Sequence, residues 1–402
     1  MSVIRRVLVA AAATAVVAAT FAVGTASSAV AADCLPESAA QGAIGVKYRE
    51  MGGARSPLGC PTTYEIGVSG GARQVFAGGS IYWSATSGAH PVWGLIGEKW
   101  GETGWEGGHL GFPTSDELTN PDGVGKRQVY QGGTIYWKAD TGAHPVWGAI
   151  GEAWGDLGWE AGDFGYPASD VVASPDGVGV YTEFQRGWIY WSPGITCTVN
   201  AKLLGAFPNA RAFAAAAGKQ RCGEQWRQIR DRVVAGRYQE WNRVDIKFCH
   251  NCPVGEVPWG SNQVSLLVEH VQARPNDWGM LAHELTHAAQ AYRGDGSGWV
   301  TEGIADWLRY DLDLPPDGRG NDPRCEQLHH NHYTQGYECA AALLGYIQRT
   351  VGGHVLPDLN AYLHDQNRSG DAIRSWLQNK TGRTPDQLWA ACRAAECAGG
   401  RP

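Results

Sequence analysis

The chain has 402 residues, enough for two domains or for one domain beside a repeat array. A formal charge of -7 gives no net cationic surface to attract nucleic acid or an anionic membrane, so neither is expected as a partner. The 55 glycines concentrate in the first half, where members of a set of 18 tryptophans recur at regular spacing, so two unlike modules are expected.

Residues 1–32 read as a signal peptide. Arg5 and Arg6 form a positive n-region, residues 7–23 are an apolar run, and Ala29-Val30-Ala31 is a small-residue cleavage site. An uncleaved anchor is the alternative. Beyond residue 33 no apolar run is long enough to span a bilayer. All ten cysteines follow the cleavage site, and an even number in an exported chain points to disulfides. Spacing does not fix connectivity. Nearest-neighbour pairing would give Cys34–Cys60, Cys197–Cys222, Cys249–Cys252, Cys325–Cys339 and Cys392–Cys397. The Cys249-His250-Asn251-Cys252 segment reads as a tight disulfide, with a redox motif or half a metal site as alternatives.

Residues 33–195 contain three tandem units. Gly94-Leu95-Ile96-Gly97-Glu98 returns as Gly148-Ala149-Ile150-Gly151-Glu152, with a weaker copy from Gly42. Leu58-Gly59-Cys60-Pro61 returns as Leu110-Gly111-Phe112-Pro113 and Phe164-Gly165-Tyr166-Pro167, at spacings of 52 and 54 residues. Ile81-Tyr82-Trp83 recurs at Ile135 and Ile189, and Gly-Ala-His-Pro-Val-Trp occurs at Gly88 and Gly142 but not in the third unit. Each unit is expected to hold a short helix and two aromatic-rich strands, and to rely on its neighbours for a core. The third is expected to act as terminal cap and hinge. Trp83, Trp93, Trp137, Trp147 and Trp191 could form that core or line glycan grooves. His90 and His144, isolated beside prolines, are expected to be structural. These units resemble the LGFP repeats of exported actinobacterial proteins. The resemblance covers about residues 42–192 and implies association with the cell envelope, with a cell-wall polysaccharide as partner.

Residues 196–402 change character. Helices are expected over 201–217 and 224–234, strands over 244–248 and 263–268. Asp277 would cap an apolar helix running to about Tyr292. A break follows at 294–298, and Thr301 would cap the next helix. On the first of these, His283 and His287 share a face at i and i+4, a spacing that offers two imidazoles to one zinc ion. Glu284 stands beside them as general base, and Glu302, fifteen residues after His287, is a third ligand that leaves one position open for water. Asp306, four residues beyond Glu302, would brace a ligand histidine, and the rival arrangement puts Asp306 on zinc. Tyr337, with Tyr333 and His332 behind it, is the candidate oxyanion donor, and a core role is its alternative. The strand over 262–271 could bind extended substrate at its edge.

Leu281-Ala282-His283-Glu284-Leu285-Thr286-His287-Ala288-Ala289-Gln290, followed by Glu302-Gly303-Ile304-Ala305-Asp306, resembles the basic secretory protein family of plants and microbes. Gln335-Gly336-Tyr337 and Thr384-Pro385-Asp386-Gln387-Leu388-Trp389 continue the match in order. The resemblance implies a secreted zinc metallopeptidase acting on a peptide or protein; a catalytically inactive envelope-binding protein and a zinc amidase acting on peptidoglycan are the alternatives. Glu302 with Asp306 behind it also resembles thermolysin-like peptidases. The expected architecture is therefore multidomain α+β: a glycine- and aromatic-rich, β-containing repeat module, then a zincin-like α+β domain.

Overall fold

Each repeat opens with a nine-residue helix and closes with antiparallel strands. The first unit contains α1 (Gly42–Glu50), β1 (Ile66–Val68), β2 (Gly71–Phe76), β3 (Gly79–Ser84) and β4 (Gly88–Val92). The second contains α2 (Gly94–Glu102), β5 (Leu118–Thr119), β6 (Lys126–Tyr130), β7 (Gly133–Lys138) and β8 (Gly142–Val146). In each, the four strands lie in sequence order in one sheet. The sequence suggested two strands per unit. The outer ones escape pattern reading because β1 and β5 are very short, while β4 and β8 carry Pro91 and Pro145. These coordinates are a computed structural model that describes residues 34–238, 241–292, 298–314, 325, 332–364, 369–395 and 397. The expected signal peptide and all but the last residue of the 294–298 break lie outside the described residues.

Of the repeated tryptophans, Trp83, Trp93 and Trp137 pack against the edges of the repeat cores, whose centres are held by other aromatics. Trp100 and Trp154 on the helices are fully buried, packed edge-on against Tyr82 and Tyr136 at 4.6 and 4.7 Å. Trp83, Trp93, Trp137 and Trp147 are half-buried, and Trp191 is exposed. Consecutive units are clamped by charge. His90 Nδ1 meets Asp116 at 2.7 Å and His144 Nδ1 meets Asp170 at 2.7 Å, each carboxylate also receiving a lysine, Lys47 and Lys99 respectively.

The third unit contains α3 (Gly148–Asp156), β9 (Val172–Ala173), β10 (Val180–Phe184), β11 (Gly187–Ser192) and β12 (Ile195–Asn200). Here β12 pairs antiparallel with β11 and parallel with β13 (Arg243–Cys249), so hydrogen bonding runs without a break past residues 195 and 196. With β14 (Gly255–Glu256) and β15 (Gln263–Leu267) they make a seven-stranded sheet ordered β14-β15-β13-β12-β11-β10-β9. Helices α4 (Pro208–Ala216) and α5 (Cys222–Ile229), separated by a widened turn, lie on it. The expected helix from residue 201 starts instead at Pro208, whose fixed φ suits a first turn, after Gly205 has interrupted the periodicity. Gly218 and Gly223 let these helices approach Trp188 and Tyr190 so closely that a Cβ at either would clash with the ring-bearing side chain.

The remaining helices are α6 (Val268–Ala273), α7 (Trp278–Gln290), α8 (Gly298–Asp311), α9 (Tyr337–Val351), α10 (Val355–His364), α11 (Gly370–Thr381) and α12 (Pro385–Ala394). One core joins the sheet to α4 through α12 and takes in Trp188 and Tyr190 of the third repeat. All five cysteine pairs are the nearest-neighbour ones. Among the described residues, no helix is long and apolar enough to cross a membrane. The chain is a multidomain α+β protein.

Candidate metal centre and cleft

Helix α7 begins where Asp277 accepts a hydrogen bond from the Met280 amide at 3.0 Å. This N-cap was expected; Thr301 is not one, because α8 already starts at Gly298 and Thr301 is buried inside it. His283 and Glu284 are each 7% exposed, His283 turned to α8, from which Glu302 and Asp306 come, and Glu284 lying against Gly255 of β14. Gly303, next to Glu302, packs on Ala340 and Leu344 of α9.

The geometry brings three donor atoms together. His283 Nε2 lies 3.0 Å from His287 Nε2 and 3.1 Å from Glu302 Oε2, and His287 Nε2 lies 3.3 Å from the same oxygen. The outward nitrogens are occupied. Asp306 Oδ1 accepts from His283 Nδ1 at 2.8 Å, and Gln290 Oε1 accepts from His287 Nδ1 at 2.8 Å. Both Nε2 atoms are then free to present lone pairs to the same point. A tetrahedral ion with ligand bonds of about 2.0–2.1 Å sets its donors roughly 3.3 Å apart, so this set fits zinc. Asp306 is on the far ring nitrogen of His283 and is also bonded by Arg309 at 3.3 Å, so it is placed to brace rather than to ligate.

Charge in the site is balanced by contact. Burial alone would keep His283 neutral, but hydrogen bonds to Asp306 and Glu302 outweigh it and pull its pKa up to about 10. Glu302 moves the other way: burial raises it, and the two histidines together bring it well below the usual range. Burial pushes Glu284 up, only partly offset by the histidines. A dication held by His283, His287 and Glu302 would take the place of the His283 proton.

These residues line a cleft of about 660 Å³ that also includes Tyr337 and the segment from Val254 to Gly260. Tyr337, the first residue of α9, is 53% exposed, and its ring lies 6.3 Å from that of His283. The Glu302 charge, then burial, raises its pKa, so its hydroxyl keeps its proton. Tyr333 and His332 are not behind it: both turn to Asp386, at 3.0 and 3.3 Å. The 262–271 segment is not a sheet edge. β15 is flanked by β13 and β14, and the chain turns into α6 at Val268. The edge strand is β14, and Gly255 on it lies so close that a Cβ would strike the Glu284 side chain. Gln290, Arg309 and Arg274 were not predicted for the site. Only Gln290 had a local signal, its place three residues after His287 on the same helix.

The LGFP repeat family matches residues 58–108, 110–162 and 164–209. The family described as peptidase of plants and bacteria matches residues 265–392. No curated protein matches the chain. Among solved structures, an M1 zinc metallopeptidase from Deinococcus radiodurans is similar at 12% identity, with a TM-score of 0.34 over 54% of this chain and 49% of that one. A mutant of it gives 11% identity and a TM-score of 0.35, over 54% and 50% of the two chains. This chain thus spans about half the length of the solved structures it matches. The protein joins LGFP repeats to a domain of the peptidase family of plants and bacteria.

Proposed function

We propose that the protein is an exported zinc-dependent metallopeptidase held at the cell envelope by its repeats. The observation that carries the zinc assignment is the convergence of His283 Nε2, His287 Nε2 and Glu302 Oε2, all within 4.8 Å of one another. When bound, zinc would lower the pKa of its water to about 7 and polarise the scissile carbonyl. Glu284 takes a proton from the attacking water and returns it to the leaving amine; its burial raises its basicity towards that task. Tyr337 donates its hydroxyl hydrogen to the oxyanion. Asp306 and Gln290 hold the two imidazoles in the tautomer that ligation needs. The substrate backbone extends along β14, the sheet edge next to Glu284.

The deciding experiment is metal analysis with a peptide-library digest of wild type, Glu284→Gln and Tyr337→Phe. We expect one zinc per chain in all three. Cleavage should be abolished in Glu284→Gln, and kcat should fall about 10²–10³-fold in Tyr337→Phe. Absence of zinc from wild type, or cleavage by Glu284→Gln, rejects the assignment. Envelope attachment is supported by the repeats and by Trp105 and Trp159, which are 44% and 46% exposed. Full-length Glu284→Gln protein that washes freely off isolated cell-wall material would count against it.

A further inference from the structure

Two guanidinium groups line the cleft, and they are held differently. Arg309 is neutralised by Asp306 at 3.3 Å and Asp277 at 3.7 Å. Arg274, exposed at the cleft wall, has no carboxylate partner among the described residues; its Nη1 donates to His270 Nδ1 at 3.2 Å. An arginine only donates, so His270 Nδ1 accepts and its Nε2–H donates to Asp277 Oδ2 at 2.9 Å. Asp277 is 5% exposed and is fixed in turn by its cap on α7. A cation is thus tied, through a buried carboxylate, to the start of the helix that carries His283 and Glu284. The carboxylates nearest the reaction, Glu284 and Glu302, and the cleft residues Glu256 and Glu338 make the remaining wall acidic.

We infer that Arg274 receives a carboxylate of the peptide substrate, either an acidic side chain or the chain terminus, and selects substrates that carry one close to the scissile bond. The inference rests on the peptidase reading above. Arg274 lines the same cleft as His283, Glu284, His287 and Glu302, so the carboxylate it receives belongs to the stretch of substrate that lies in the cleft with the scissile bond. Among the described residues, Arg274 is the cleft guanidinium without a carboxylate partner, and the nearby Glu256 and Glu338 leave a substrate carboxylate no other unpaired cationic side chain on that wall.

The test is binding, which does not depend on turnover. Zinc-loaded full-length Glu284→Gln protein is titrated calorimetrically with N-acetylated alanine hexapeptides. One pair ends in a carboxylate or an amide; a second, amidated pair carries Glu or Gln at an internal position. We expect one acidic member to bind at least about tenfold more tightly than its neutral twin, the scale of one hydrogen bond between charged groups. A preference in the first pair identifies the terminus, and one in the second identifies a side chain. Adding Arg274→Met should abolish the preference, and Arg274→Lys should restore part of it. Equal or undetectable binding of all four peptides, or a preference that survives Arg274→Met, overturns the inference. Cleavage by wild type and its loss in Glu284→Gln report separately on the peptidase assignment.

Discussion

The two histidines face each other at 3.0 Å because their other nitrogens are already engaged by Asp306 and Gln290. The i, i+4 spacing makes the pair readable from sequence, and Gln290 was readable by the companion i, i+3 spacing from His287. Arg274 was not, because its place in the cleft depends on a loop, a short helix and a cap that no periodic pattern joins. The two braces are unequal. Asp306 is a buried carboxylate fixed by Arg309, while Gln290 is a neutral amide that also donates to the Thr301 carbonyl at 3.2 Å. Loss of such a partner weakens metal binding about 10–100-fold. Asp306→Ala should therefore fall near the upper end and Gln290→Ala near the lower end, measured as zinc Kd by chelator competition. Equal, unchanged affinities in both variants would show that the braces do not set ligand geometry.

At the scale of elements, a recurring loop shows how the peptidase-family half takes the place of a further repeat. Asp122 accepts from the Val124 and Gly125 amides at 2.9 Å and from the hydroxyl of Tyr166, in the following unit, at 2.7 Å. Asp176 makes the same turn with Val178 and Gly179, but no unit follows it. It instead receives Tyr190 and, at 2.7 Å, Arg227 of α5. The repeat itself was legible as copied sequence. The Arg227 contact was not, since nothing in the periodicity of α5 marks which residue meets the loop. Burial raises the Asp176 pKa, but the amide and Arg227 hydrogen bonds more than reverse this and hold it well below the carboxylate range. A group so lowered adds stability above its unfolded value of about 3.9 and loses it as pH falls. Asp176→Asn should thus cost about 1–3 kcal/mol at pH 7, the scale of hydrogen bonds to a charged group in a part-buried ion pair. Asp122→Asn, with no hydrogen-bonded cation and more solvent, should cost ~1 kcal/mol. Urea melts should show the Asp176 gap narrowing below about pH 4; a gap that is constant with pH would mean the charge is not what stabilises the junction.

Across the whole molecule, one change in the third repeat decides how the halves meet. In the first two units the last strand contains Pro91 or Pro145, which cannot donate to a further strand and so closes the sheet. The third unit lacks that segment and has Ile195-Thr196-Cys197-Thr198-Val199-Asn200, with Ile195, Cys197 and Val199 buried. Freed of proline, β12 accepts β13, and the sheet continues to β14 at the edge of the cleft. The missing Gly-Ala-His-Pro was visible in the sequence as an ending, but its consequence was not, because strand pairing across fifty residues leaves no local trace. The contact is large. Trp188 and Tyr190 are 2% and 0% exposed, and each ring side chain of this kind buries about 150–250 Å². At about 25 cal/mol per Å², removing the pair from water contributes roughly 7–12 kcal/mol before the entropy of ordering is set against it. A chain beginning at residue 196 should therefore fail to melt cooperatively and should not retain zinc. A chain beginning at Gly148, which keeps α3 and the entire third unit, should unfold in a single transition with zinc bound. Calorimetry of both against the full chain checks this, and a cooperative, zinc-retaining fragment from residue 196 would show that the third repeat is an appendage rather than part of the peptidase fold.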